Sequence, residues 1–154
     1  MASIISAGTT SGTALNMAGD TSGVLQFQTN GTTAAVTIDT SQNLQFNSGY
    51  GSVATAFGCR AWVNFNGVGT VAIRGSGNVS SITDGGTGVY TLNFSNAMPD
   101  VNYTVVANGW YSGVSAGFIS IEAPNSSASA KLIKAKNLSD VDTDLNNINV
   151  AIFR

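Results

Sequence analysis

The sequence contains no histidine and a single cysteine. Without histidine the chain cannot form a Ser-His-Asp or Cys-His catalytic arrangement, or a zinc site with an imidazole ligand. The one thiol, Cys59, cannot form an intrachain disulfide, and such a residue usually behaves as a small hydrophobe. We therefore expect no catalytic residues, no metal site that depends on these ligands and no cofactor.

Charge is also scarce, because charged residues make up 9% of the chain and the net charge is −2. A typical soluble domain carries about 25% charged residues. The chain thus has no basic field that could hold nucleic acid. No apolar run approaches the roughly 20 residues that a membrane helix needs. The first eight residues lack the basic flank and apolar centre of a secretion signal, so we expect neither a nucleic acid nor a membrane as partner.

Glycine is abundant, with 18 residues against two prolines, and hydrophobic residues reach 43%. Short runs of alternating apolar and polar residues are separated by turn pairs such as Asn66-Gly67 and Asp84-Gly85. No window combines helical periodicity with capping residues. The sequence therefore predicts an all-β protein.

Residues 1–52 carry apolar pairs at intervals of roughly ten residues, each alternating with polar residues. The members of these pairs are Leu15, Met17, Leu25, Phe27, Val36, Ile38, Leu44 and Phe46. A layer with two large apolar side chains per strand buries too little surface to offset the entropy of ordering its backbone. We interpret this region as the start of a trimeric β-shaft or β-prism in which three chains point these side chains at one axis. A β-meander packed on the chain's own second domain remains the alternative.

Residues 53–154 are expected to form an antiparallel, jelly-roll-like β-sandwich, with residues 53–58 as a connector. The stretch from Arg60 to Val105 organises this domain. The predicted strands cover residues 59–66, 70–76, 78–83, 89–95, 103–111, 117–123, 130–136 and 147–153. The apolar residues expected to supply its packing are Trp62, Phe65, Val71, Ile73, Ile82, Tyr90, Leu92, Phe94, Tyr103 and Val105.

Carboxylates alternate at Asp140, Asp142 and Asp144, as at the opening of a calcium loop. The segment lacks glycine at the sixth loop position and has Ala151 at the twelfth, so a solvated loop is the preferred interpretation and a shared cation the alternative. A second acidic pair, Asp84 and Asp100, would suit glycoside hydrolysis only if folding brought the two together.

Two further groups have both a structural and a functional interpretation. Lys131, Lys134 and Lys136 lie on one predicted strand, where lysines commonly protect a sheet edge from unwanted pairing, although they could also meet an acidic partner. Trp110 and Tyr111 precede a Gly/Ser-rich loop and could recognise a surface ligand by stacking on sugar rings. Packing of at least Trp110 in the core is the preferred interpretation.

Residues 61–74, 77–88, 90–94 and 97–103 resemble the distal modules of phage tail-fibre-like proteins, notably those of cyanobacterial and marine phages. The likeness is close over this stretch and loose over the later strands. It implies a virion structural protein, usually trimeric, with no catalytic residues to carry over.

A long fibre of this kind would have a large N-terminal adaptor and an extended shaft, whereas 52 residues precede the module here. We therefore expect a tailspike-like capsid cement or decoration protein, made in the host cytoplasm and placed on the outer surface of the virion. Residues 1–52 would attach it to the major capsid protein or another virion protein. The alternative is a short tail fibre that binds host surface glycans, and a glycan depolymerase is the third hypothesis.

Overall fold

A computed structural model describes residues 3–7, 15–19, 21–29, 33–47, 52–111 and 114–154. Every regular element among them is a β-strand, so the all-β prediction is confirmed. The chain divides into two compact units, residues 1–57 and 58–154. The stretch expected to be a connector contains a short strand, Ala54–Thr55, which pairs with the preceding strand and so extends the first sheet. The sequence also predicts turns at residues 29–33 and 112–113, of which residues 30–32 and 112–113 lie outside the described residues.

The described residues of the first unit form one six-stranded sheet. Its strands are β1 Ser3–Ala7, β2 Leu15–Ala18, β3 Leu25–Thr29, β4 Thr33–Ile38, β5 Leu44–Phe46 and β6 Ala54–Thr55. They are ordered β2-β1-β3-β4-β5-β6, with β1 and β3 parallel and the other pairs antiparallel. The turn between β4 and β5 is held by Asp39, whose carboxylate accepts bonds from the Ser41 and Asn43 backbone N–H groups, both at 2.9 Å. Such bonds from an Asp side chain to backbone N–H groups are typical of turns.

The second unit is an eight-stranded antiparallel sheet. Its strands are β7 Cys59–Asn66, β8 Ala72–Gly77, β9 Val79–Asp84, β10 Val89–Phe94, β11 Thr104–Tyr111, β12 Val114–Ser126, β13 Ala130–Asn137 and β14 Asn147–Phe153. All eight predicted strands are present, and β12 is the one that extends furthest beyond its predicted bounds. The spatial order is β8-β7-β14-β11-β12-β13-β10-β9, a continuous hydrogen-bonded ladder rather than two separate sheets.

This eight-stranded sheet rolls over so that its halves face each other. Strands β8 and β9 stand at opposite ends of the strand order, yet Asn78 alone separates them in sequence. Asn78 adopts a left-handed conformation with φ of 56°. Its side chain donates to the carbonyls of Arg60 and Asn96 at 3.1 and 3.0 Å and accepts from the Asn96 N–H at 2.8 Å. Asn78 therefore ties the start of β7 to the segment after β10.

The core lies inside this roll. Inward side chains alternate along β7, β10, β13 and β14, as period-two strands require. Phe65 of β7 and Tyr90 of β10 meet edge to face at 5.2 Å between ring centroids, although four strands lie between them in the spatial order. Two residues expected to supply the packing, Trp62 and Ile73, are exposed instead. Trp62 cannot point inward, because its immediate neighbours along β7 do so.

The lysine strand, β13, lies between β12 and β10. The interpretation of its lysines as edge protection is therefore wrong. Lys131 points into the unit and is buried, while Lys136 contacts Asp140 at 3.1 Å and Asp142 at 3.3 Å. Lys134 lies 3.8 Å from Asp142, so Lys134 and Lys136 both hold the following acidic loop.

Candidate functional site

One face of the first sheet is a ladder of large apolar side chains. Cross-strand pairing aligns Phe27, Val36 and Phe46 in one row. Leu25, Ile38 and Leu44 form the adjacent row. Because residues two apart share a face, both rows lie on the same side of the sheet. We call these six residues the apolar face.

The apolar face is not covered within the described part of the first unit. Phe27, Leu44 and Phe46 are 41%, 48% and 43% exposed, and the other three members are half-buried. The side chains of Leu15 and Met17, also predicted for the trimer interface, lie outside the described residues. Their backbone is described, and Met17 is paired with Ile5, which in turn pairs with Phe27. Met17 therefore extends the Phe27 row.

The opposite face of the same sheet is polar and better buried. Gln26, Thr37 and Gln45 align across β3, β4 and β5, and Thr37 is only 8% exposed. The Gln26 side-chain amide donates to the Thr37 hydroxyl at 3.3 Å. Among the described residues of this sheet, the apolar side is thus more exposed than the polar side, the reverse of the usual arrangement.

A second exposed surface lies on the outer side of β8, β7, β14 and β11. Trp62 is 47% exposed, and its indole lies across Gly75 and Gly77 of β8. A Cβ at Gly77 would overlap the indole Nε1 of Trp62, and a Cβ at Gly75 would lie 3.4 Å from the far end of the ring. The two glycines therefore leave the space that the ring occupies.

Beside Trp62 runs a row of asparagines. Asn64, Asn149 and Asn108 are direct cross-strand neighbours on β7, β14 and β11. The Asn64 amide donates to Asn149 at 2.6 Å, and the Asn149 amide donates to Asn108 at 2.9 Å. Asn64 also donates to the Asn147 side chain, which lies one row further along. These bonds fix the orientation of the amides before any ligand arrives.

Trp110 lies on the same outer side, opposite Asn147 in register, and is 57% exposed. The preferred interpretation of Trp110 as a core residue is therefore wrong. Its face of β11 is shared with Val106 and Asn108, whereas the inward positions belong to Val105 and Ala107. Tyr111 is exposed too. Both residues predicted for surface recognition are thus accessible at the end of β11.

The asparagine row and Trp62 were not among the predicted site residues. Alternation along Ala61-Trp62-Val63 could have placed Trp62 outside, but sequence order cannot show which strands become neighbours. Asn64 and Asn149 lie 85 residues apart in the chain. Only the pairing of β7 with β14 brings them together.

The acidic segment does not converge on one point. Asp140 and Asp142 pair with Lys136, whereas Asp144 accepts the Gly88 N–H at 2.7 Å and the Tyr90 hydroxyl at 2.8 Å. Burial and the neighbouring Asp144 carboxylate raise the pKa of the Tyr90 phenol well above its ordinary value, so Tyr90 stays protonated and donates. No group of three potential metal ligands occurs among the residues that the structure describes.

The other candidate carboxylates also have separate partners. Asp84 accepts the Gly86 N–H at 2.9 Å in the turn between β9 and β10. Asp100 forms a two-point pair with the guanidinium of Arg154, with its Oδ1 3.0 Å from Nε. That pair and the Asn102 N–H hold the pKa of the Asp100 carboxyl below its usual range. These contacts explain both carboxylates as structural groups.

Comparison of the chain with models of known protein families, with curated proteins and with solved structures finds no match. Across the described part of the chain, no helix has the length and apolar character needed to span a bilayer.

Proposed function

We propose that this protein is a non-enzymatic structural component of a phage virion that assembles as a homotrimer through the apolar face. The observation that carries the assembly is the exposure of Phe27, Leu44 and Phe46 on one side of a single-layer sheet. A sheet with an apolar side needs a second layer to cover it. The virion role and the number of chains come from the resemblance to phage tail-fibre-like modules.

A second and a third copy of the chain suit this face for two reasons. The six residues are uncharged, so equivalent faces from several copies can meet without burying an unpaired charge. Closed symmetry also lets each copy cover the others with the same surface. Three such sheets around one axis would form the short β-shaft or β-prism, and the rolled antiparallel sheet of the second unit follows it in the chain.

The proposed place of the trimer is the outer surface of the capsid, as a cement or decoration protein bound to the major capsid protein. A ligand that binds the assembled shell and not its separated subunits stabilises the shell by mass action. No residue with catalytic chemistry is needed for that role.

Sedimentation equilibrium of the purified protein at micromolar concentration tests the assembly. We expect the mass of three chains, and dissociation to monomers on Phe27→Gln with Phe46→Gln. Phe57→Gln is the matched control, because Phe57 is an exposed aromatic residue outside the two rows. A well-folded monomer, or a dimer that the double substitution does not disturb, contradicts the proposal.

The virion location needs a separate measurement. Imaging of particles that contain the chain should show hundreds of copies distributed over the shell. A few dozen chains confined to the tail would contradict the cement role and favour a fibre.

The second candidate function is a short tail fibre that binds host surface glycans. Exposure of Trp110 and Tyr111 favours it, because exposed aromatic rings supply stacking surfaces. Soluble protein should then compete with particles for host cells. Normal adsorption of particles that lack the protein contradicts this candidate.

A further inference from the structure

The outer side of the second unit has the chemistry of a ligand-binding surface. It combines two exposed indoles with a row of oriented amides, and we call Trp62, Asn64, Val106, Asn108, Trp110 and Asn149 the amide platform. Trp62 lies in the row on one side of the asparagines and Trp110 in the row on the other side. From standard strand dimensions the two tryptophan Cα atoms are about 16 Å apart.

The platform carries no charge, since none of its six members is ionisable. A polyanion such as nucleic acid would find no counter-charge on these six residues. A charged peptide would lose the hydration of its charges there without gaining an ion pair to any of the six. A ligand that fits is neutral, has apolar patches that can lie on indole rings, and carries polar groups that can meet amides.

The amides leave hydrogen-bonding capacity that faces outward. Within the described residues, the internal bonds use the Asn64 amide nitrogen and the Asn149 amide, but leave the Asn64 carbonyl oxygen and the Asn108 amide nitrogen without a partner. One remaining group accepts and the other donates. A sugar hydroxyl can do both, so one kind of ligand group satisfies each of them.

We propose that the amide platform binds a neutral oligosaccharide, with sugar rings stacked on Trp62 and Trp110 and hydroxyls bonded to Asn64 and Asn108. The inference deepens the second candidate function and rests on it, while it does not depend on the trimer. A single hexose is too small to contact both indoles. Affinity should therefore rise with chain length from one sugar to several.

Each platform should bind weakly. The depression between Trp62, Val106 and Asn149 holds about 260 Å³, slightly below the roughly 300–1,000 Å³ of enclosed small-molecule sites. A shallow site of this kind gains useful strength when several copies engage one polymer together. Three platforms on one trimer would supply that multivalency.

Nuclear magnetic resonance gives a site-specific test with the full-length chain. The probes are neutral hexasaccharides of α-glucan, β-glucan, β-N-acetylglucosamine, mannan and galactan, with chondroitin sulfate as the charged comparison. The chain has two tryptophans, so Trp62→Phe and Trp110→Phe assign the two indole N–H signals. We expect at least one neutral probe to shift the Trp62 indole signal and the Asn64 and Asn108 amide signals together.

Substitutions then test whether the platform carries the binding. Trp62→Ala should weaken binding by about tenfold, because the indole is one of the two stacking surfaces, and truncation of such an aromatic anchor removes a large share of the binding free energy. Gly77→Ala keeps Trp62 but places a methyl group where its indole lies, so the ring must move and binding should weaken as well. Phe57→Ala, which removes an exposed aromatic residue outside the platform, should leave binding unchanged.

Several outcomes overturn the inference. The first two are a failure to bind any neutral probe and binding to chondroitin sulfate alone. The third is unchanged affinity in Trp62→Ala and Gly77→Ala. The fourth is a set of platform signals that shift with protein concentration and not with added glycan, which would make this face a contact between copies. A trimer that binds no glycan would leave the proposed structural role standing. A monomer that binds glycan at the platform would contradict the proposed trimer and support the glycan inference.

Discussion

At the scale of single residues, one buried hydroxyl group, that of Tyr90, joins the core of the second unit to the segment that follows β13. The Tyr90 hydroxyl is fully buried with its ring and lies 2.8 Å from Asp144 and 3.0 Å from the Gly67 carbonyl. Its one proton goes to the carboxylate, the stronger acceptor. Through this bond the segment after β13 is attached to the centre of the second unit.

Removal of that hydroxyl should therefore be costly. Tyr90→Phe keeps the ring but leaves Asp144 with one donor fewer, and we expect a loss of about 1–3 kcal/mol in the free energy of unfolding. Urea denaturation measures it. Tyr103→Phe is the matched control, because it removes a partly exposed hydroxyl bonded to the Ser127 carbonyl, with an expected cost of roughly 1 kcal/mol or less. Equal costs for the two variants would contradict this account.

Acid should weaken the protein through two carboxylates. Backbone and side-chain bonds from Asn43 lower the pKa of Asp39, and the Arg154 guanidinium lowers that of Asp100. Because both folded-state values lie below the unfolded value of 3.8, the stabilisation is complete above that pH and is lost as the pH falls through the folded values. Thermal midpoints at constant ionic strength should drop below about pH 4. In the double variant Asp39→Asn, Asp100→Asn the thermal midpoint should fall less steeply with decreasing pH. If its midpoints followed the same pH dependence as those of the unsubstituted protein, Asp39 and Asp100 would not be the cause of the acid effect.

At the scale of strands, the sequence predicts which side chains alternate between the two faces of a strand, but it does not predict which strands become neighbours. The inward residues of β7, β10 and β14 follow from their period of two, and all eight strands of the second unit were predicted close to their observed bounds. The position of Lys131 on an interior strand was not predictable, because strand order depends on contacts distant in sequence. The same reason kept the asparagine row hidden.

The junction at Asn78 gives a prediction at this scale. Asn78→Ala removes three bonds that join the ends of the rolled sheet, and it places alanine at a φ of 56°. We expect the loss of these bonds to lower the free energy of unfolding by about 1–3 kcal/mol. Asn78→Gly loses the same bonds but tolerates the left-handed backbone, so it should be about 1 kcal/mol less damaging. Chemical denaturation of both variants measures the difference, and a more stable alanine variant would exclude backbone strain as a cause.

At the scale of the whole molecule, the two units differ in how their apolar residues are buried. Every buried apolar side chain among the described residues belongs to the second unit, from Ala61 to Ile152. The first unit exposes Phe27, Leu44 and Phe46 on the apolar face. The second unit therefore has a core of its own, whereas the described residues of the first unit leave the apolar face uncovered.

Truncation should separate these two behaviours. A fragment of residues 58–154 should unfold cooperatively with a midpoint that is independent of protein concentration. The full-length chain should show a second transition whose midpoint rises with concentration, as for any unit stabilised by association. Calorimetry at several concentrations measures both. A concentration-independent full-length profile would show that the first unit does not depend on association.

The sequence by itself determined the strand pattern, the turn residues and the alternation that assigns most side chains to an inner or outer face, because these depend on neighbours a few positions apart. Tertiary structure alone decided which faces meet. It placed Trp62 over two glycines, aligned Asn64 with Asn149 and Asn108, and sent Asp140 and Asp144 to different partners. Those outcomes depend on pairing between strands far apart in the chain, which a local pattern does not encode.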